Sequence, residues 1–81
     1  MHLVHVVLLQ VDVQPDLIFV SDIGDSSVKI FDLDGNPVKQ FGQYGDRYGE
    51  FKHPSTAITD GTRIFVLDAE NHRIQIFNIV P

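Results

Sequence analysis

Few residues of this 81-residue chain have types and spacing that could do chemistry. It has no cysteine, so no disulfide, thiolate nucleophile or thiolate metal site can form. His2 and His5 offer two imidazoles, but residues three apart on a strand point to opposite faces and do not converge on one ion. Asp32-Leu33-Asp34-Gly35-Asn36 begins like a calcium loop. The acidic ligand such a loop needs at its twelfth position is replaced by Gln43, so a plain hairpin turn is expected. Asp22 and Asp68 each close an apolar run, and each is expected to end a strand and hydrogen-bond the backbone of its own turn. Ser21, Ser26, Ser27 and Ser55 lack any Gly-x-Ser-x-Gly context. The expectation is a protein with no catalytic residue, no metal and no cofactor.

One segment is richer. Residues 41–54, FGQYGDRYGEFKHP, interleave Phe41, Tyr44, Tyr48 and Phe51 with Arg47, Lys52 and His53. Aromatic rings alternating with cations are what single-stranded nucleic acid contacts use. Asp46 and Glu50 nearly cancel the local charge, and the whole chain carries a formal charge of -5, which disfavours RNA. Phe51 is expected to pack in the core. Tyr44, Arg47, Tyr48, Lys52 and His53, with His72 from a later turn, are the candidate contacts to a protein or peptide partner.

The charge is unevenly placed. Residues 1–36 hold six acids and one base, whereas residues 37–81 hold five of each. Most of the excess acids lie in segments that read as turns, where Asp caps backbone N–H groups. Met1–Leu9 is apolar but short, lacks a preceding Lys or Arg and a small-residue cleavage site, and runs into strand-like alternation. No stretch reaches the length of a membrane helix. No membrane association is expected, and a cytoplasmic setting is the default.

The elements that position these residues follow from an internal repeat. Residues 17–32, LIFVSDIGDSSVKIFD, match residues 63–78, RIFVLDAENHRIQIFN, at an offset of 46, with six of sixteen positions identical. A period of that length marks a solenoid, a propeller or a tandem array. The repeated segments are short, β-branched and aromatic, and no window shows a sustained helical period, so helical repeats are excluded. Strands are expected near 8–13, 17–22, 27–32 and 37–41, and again near 55–60, 63–68 and 73–79. Asp34-Gly35-Asn36 and Asp60-Gly61 are the hairpin turns. The second and third strands of each unit are apolar at adjacent positions, as strands covered on both faces are.

The second unit resembles the NHL repeat, a β-propeller blade. Gly42, Gly45, Gly49, Phe51 and Pro54 match its glycine-spaced lead-in. Ile64-Phe65-Val66 with Asp68 match its second strand, and Asn71-His72-Arg73-Ile74-Gln75-Ile76-Phe77 its characteristic segment. The first unit departs from the pattern: Asp25-Ser26-Ser27 replaces Asn-His-Arg, and Leu8 stands where Pro54 stands in the second. Asp22, Asp68, Phe31, Phe77, Phe51 and Pro54 are its structural repeat residues.

The resemblance implies an all-β chain of antiparallel four-stranded meander blades, about two in number, the second incomplete. It would form a single segment over residues 1–81, with blade one near 8–42 and blade two near 51–79. It implies a non-catalytic scaffold similar to the propeller repeats of tripartite-motif NHL proteins, binding protein or peptide partners through loops. Two further readings attach to the family: single-stranded RNA binding by the propeller face, and a fragment of an amidating-lyase-like propeller enzyme. The resemblance implies a ring of about six blades, and repeat units do not bury their faces alone. Further blades, or homo-oligomerisation as a trimer of two-blade units, are therefore expected. The apolar residues 2–7 are expected to supply the outer strand of a neighbour's second blade.

Overall fold

A computed structural model describes the backbone of residues 2–10 and 16–80, and the side chains of residues 16–79. The elements in chain order are β1 (His2–Gln10), β2 (Ile18–Asp22), β3 (Ser27–Phe31), β4 (Pro37–Phe41), β5 (Pro54–Thr59), β6 (Arg63–Asp68), a 3-10 turn (Ala69–Asn71) and β7 (Arg73–Val80). The fold is all-β, built on two antiparallel three-stranded meanders, β2-β3-β4 and β5-β6-β7. Among the described residues no helix is long and apolar enough to cross a membrane.

Turn chemistry sets the hairpins. Asp32 accepts the backbone N–H groups of Asp34 and Asn36 on Oδ1 and the Asn36 side-chain amide on Oδ2. The start of the calcium-like motif is thus a turn whose carboxylate is already engaged. Asp60 does the same between β5 and β6, accepting from Thr62 and Arg63 N–H, while the Arg63 guanidinium grips Oδ2 at 2.8 and 3.0 Å.

β1 departs from the sequence-based expectation. The strand expected near 8–13 would head the first meander. Residues 8–10 instead belong to a longer strand that runs parallel to β7, from His2 opposite Arg73 to Gln10 opposite Val80. Residues 11–13 lie outside the described residues. β1 also gives its strand to this chain's own second sheet rather than to a neighbour's. The physical reason is the bare outer edge of β7, a row of unpaired N–H and C=O groups that an apolar segment can satisfy.

The two meanders pack face to face. In β6 the side chains alternate, so that Ile64, Val66 and Asp68 point inward and are buried. In β3 Val28 and Ile30 do the same from the other sheet. Phe51, from the loop between the sheets, and Phe77 complete this core, against which Phe19, Phe41 and Ala57 pack. Phe41 of β4, Phe51 and Phe77 of β7 form a three-ring cluster with centroids 4.7 to 6.2 Å apart at tilted and edge-on angles. One ring comes from each sheet and one from the connecting loop, so this cluster joins the two halves.

Gly42 makes room for it. Its φ is 95°, and a Cβ placed there would lie 2.4 Å from the Phe51 ring. The first lead-in glycine is therefore a steric condition for the buried aromatic. Phe51→Ala should remove about 3–5 kcal/mol of stability, as deletion of a buried aromatic does. Urea unfolding followed by circular dichroism measures it, and a loss under about 1 kcal/mol would show that the ring does not join the sheets.

Candidate functional site

The loop of residues 42–53 crosses over the end of the second sheet, held there by a buried polar cluster. Asp68 ends β6 on its inward parity and is fully buried. Its Oδ1 accepts the Lys52 N–H at 2.7 Å. Its Oδ2 accepts from Arg73 Nε at 2.7 Å, Asn71 Nδ2 at 3.0 Å and Gln75 Nε2 at 3.0 Å. A buried carboxylate is tolerated only when paired and fully hydrogen-bonded, and this one is.

The partners of Asp68 reach onward to the loop. The Arg73 guanidinium donates to the carbonyls of Asp46, Arg47 and Glu50 at 2.9 to 3.1 Å. The Gln75 side chain donates to the Glu50 carbonyl at 2.6 Å and accepts the Gly49 N–H at 2.9 Å. Asn71 donates to the Gly45 carbonyl at 3.0 Å. One carboxylate thus orients three side chains, and these satisfy the backbone of a loop that has no sheet of its own. The expectation that Asp68 bonds the backbone of its own turn is corrected here: the backbone group it holds is sixteen residues away. Its side chain points into the interior, where the loop passes, rather than back over the 3-10 turn.

The loop also closes on itself. Glu50 accepts from the Gln43 side chain at 2.7 Å and from the Arg47 N–H at 3.1 Å. These two bonds, in that order, hold the Glu50 carboxyl below its ordinary range. The Gly45 N–H donates to the Phe51 carbonyl at 3.1 Å and the Phe51 N–H to the Gln43 carbonyl at 2.9 Å. Sequence reasoning singled out the glycines and aromatics of this segment but missed Asn71, Arg73, Gln75 and Glu50 as its fasteners. A signal was present: Arg73 and Gln75 occupy alternate positions of an apolar strand, on the parity that should be buried.

The candidate contact residues ride on this clamped loop and the adjacent turn. Tyr44 and Tyr48 are 70% and 68% exposed, although most large apolar or aromatic side chains nearby are covered. The Lys52 ammonium stands 5.7 Å above the Tyr44 ring. Arg47 lends its backbone to the clamp and leaves its side chain exposed. His53 is exposed at φ 57°, with Nδ1 3.6 Å from a Glu70 carboxylate oxygen. His72 is exposed and left-handed at φ 56°, capping the 3-10 turn. Pro54 is fully buried at the start of β5.

The first unit repeats this design without the loop. Asp22 stands where Asp68 stands and accepts the Asp25 N–H of its own turn at 3.1 Å. Lys29 replaces Gln75 and bridges Asp22 at 2.6 Å and Asp25 at 2.8 Å. That bridge holds Asp22 below the ordinary carboxylate range and raises Lys29. Ser27 stands where Arg73 stands, and its buried hydroxyl has no partner. Phe31, the counterpart of buried Phe77, is only half-buried. His2 and His5 lie in β1, and their side chains fall outside the described residues. Among the described residues no three His, Cys, Asp or Glu side chains gather where a metal could be held.

Two stacked antiparallel meanders, joined through a clamped inter-sheet loop, define the blade architecture of the β-propeller class. The repeat itself is the NHL repeat, whose family model matches residues 55–77, from β5 to Phe77. The match covers the strands of the second sheet and stops short of the loop before them.

Two outcomes follow. Asp68→Asn should cost about 3–5 kcal/mol, because it leaves a buried guanidinium without its counter-charge. Asp22→Asn should cost clearly less, since its ion pair is solvent-screened; urea midpoints of the two variants compare them, and equal losses would refute the clamp. Asp22, Asp32, Glu50 and Asp60 all have depressed carboxyl pKa values. Such groups contribute stability above their ordinary values of 3.8 for Asp and 4.5 for Glu, and lose it as the pH falls through the folded-state values. Thermal unfolding should be flat above those values and drop progressively below them, and a melting temperature that rises on acidification would contradict this.

Proposed function

We propose that the chain is a non-catalytic scaffold of NHL-type blades, with boundaries near 8–42 and 51–79, the leading residues of the first being lent to the second sheet as β1. It binds a protein or peptide partner through the loop of residues 42–53 and the adjacent turn at His72. Further blades, or copies of itself, cover the faces that two blades leave bare. The observation that carries the reading is the pair of exposed tyrosines on a loop whose backbone is fastened by Arg73, Gln75 and Asn71.

The physical argument is pre-organisation. A loop already fixed by internal hydrogen bonds loses little entropy on binding. Tyrosine offers large contact area at a cost of two torsions, which suits it to binding surfaces. The Lys52 ammonium stands over the Tyr44 ring and the Arg47 side chain is exposed on the same loop, while the Glu50 carboxylate is engaged by Gln43 and the Arg47 N–H.

Selection from a random peptide library against the purified chain tests the reading. Enriched peptides should bind the parent and lose about tenfold or more with Tyr44→Ala or Tyr48→Ala, while circular dichroism stays unchanged. Peptides that bind both variants as tightly as the parent would place the site elsewhere. Salt-dependent binding of single-stranded RNA would favour the nucleic-acid reading, and stoichiometric zinc in the purified protein the enzymatic one.

A further inference from the structure

The chain has two Asp-Gly steps, Asp34-Gly35 and Asp60-Gly61, each exposed and each at a hairpin turn. Such a step can rearrange without any co-reactant but water. The glycine amide nitrogen attacks the carbonyl carbon of the Asp side chain, and the new C–N bond closes a succinimide ring. The amide proton and the carboxyl OH leave together as water. Water then opens the ring at either carbonyl. One opening restores Asp, and the other leaves isoaspartate, whose backbone runs through the former side-chain methylene. Glycine favours the attack because it has no Cβ to obstruct it. The neutral carboxyl is the reactive form, because water leaves more readily than oxide.

Space and amide bonding do not separate the two steps. Gly35 and Gly61 both have open room where a Cβ would stand. Each amide is held by one bond: Gly35 N–H donates to the Asp32 carbonyl at 3.1 Å, and Gly61 N–H to Thr59 Oγ1 at 3.0 Å. The carboxylates differ. Asp60 accepts from the N–H and hydroxyl of Thr62, from the Arg63 N–H, and from two guanidinium nitrogens of Arg63, all at 2.8 to 3.1 Å. These bonds, that of the Thr62 N–H foremost, hold its carboxyl well below the ordinary range and keep it ionised. Asp34 gives its own N–H to Asp32 Oδ1, but among the described residues nothing donates to the Asp34 carboxylate. That side chain turns toward the Gly35 nitrogen without breaking a hydrogen bond of its own. The adjacent Asn36 is spared the same reaction, because Pro37 has no backbone N–H to lose.

We propose that Asp34-Gly35 is a site of spontaneous isoaspartate formation in the folded chain, and that the hydrogen bonds on Asp60 protect Asp60-Gly61 from the same change. The product adds one methylene to the backbone of the turn between β3 and β4. That turn is closed by Asp32 N–H on the Asn36 carbonyl at 3.0 Å and by the Gly35 bond to Asp32, and a longer backbone does not keep both. β4 carries Phe41, one ring of the cluster between the sheets, so the modified hairpin weakens the hold on that ring. The inference depends neither on the blade reading nor on the loop surface.

Incubation of the full chain in mildly acidic buffer, followed by proteolysis and mass spectrometry, tests the proposal. Isoaspartate is located by backbone fragmentation and by labelling with an isoaspartate-specific carboxyl methyltransferase; the succinimide is the species lighter by one water. In the folded chain isoaspartate should accumulate several-fold faster at Asp34 than at Asp60. In urea, where the Asp60 contacts are lost, the two steps should react at similar rates. Asp34→Glu, whose longer side chain closes a less favourable ring, should abolish the first signal. Arg63→Ala, at an exposed position and checked for folding by circular dichroism, should raise the second. The aged parent should unfold at lower urea than the aged Asp34→Glu chain. Equal accumulation at both steps in the folded chain overturns the proposal, as does isoaspartate at Asp34 that forms only in urea. An Asp60 signal unchanged by Arg63→Ala overturns the protective role of its hydrogen bonds.

Discussion

The buried Asp68 carboxylate is the constraint on which the second sheet and its loop depend. A charge at full burial is costly unless every lone pair finds a donor, and here the donors are Lys52 N–H, Arg73, Asn71 and Gln75. Those side chains are not spent on the carboxylate alone. Arg73, Gln75 and Asn71 carry on to the carbonyls of residues 45–50. The loop lacks a strand partner beyond one isolated bridge between Tyr44 and Phe51, so this relay takes the place of a sheet ladder. Its order in turn fixes Phe51, whose ring closes the core between the sheets.

The same polar position in the first unit shows what the relay is for. Where no loop crosses, Arg73 is replaced by Ser27 and Gln75 by Lys29, and the carboxylate of Asp22 is paired locally in a half-exposed setting. The backbone geometry is shared, for Ser26 and His72 both adopt a left-handed φ near the start of the third strand. The conserved geometry serves the turn, whereas the long side chains serve the loop. Tyr44 and Tyr48 stand exposed on the segment whose backbone these side chains hold.

Much of the architecture was legible in the residues. The 46-residue self-match, the Asp-Gly turns and the paired β-branched runs give seven strands and two units, and six of the seven fall close to the expected positions. β1 was harder to read. An apolar run of nine residues states that it is a strand but not which edge it joins, because backbone hydrogen bonding is indifferent to sequence. The candidate site was legible in part. Tyr44 and Tyr48 stood out by type, while the fasteners Arg73 and Gln75 read as ordinary polar positions of a family segment.

The sequence by itself determined the repeat, the β class, the turns and the family of the second unit, because each depends on local spacing and residue type. Only the tertiary structure decided that Asp68 reaches sixteen residues back to Lys52, that β1 runs parallel to β7, and that Phe41, Phe51 and Phe77 meet between the sheets. These are relations between segments far apart in the chain. They follow from which surfaces must be covered and which backbone groups must be bonded, and those needs arise only once the two sheets have stacked.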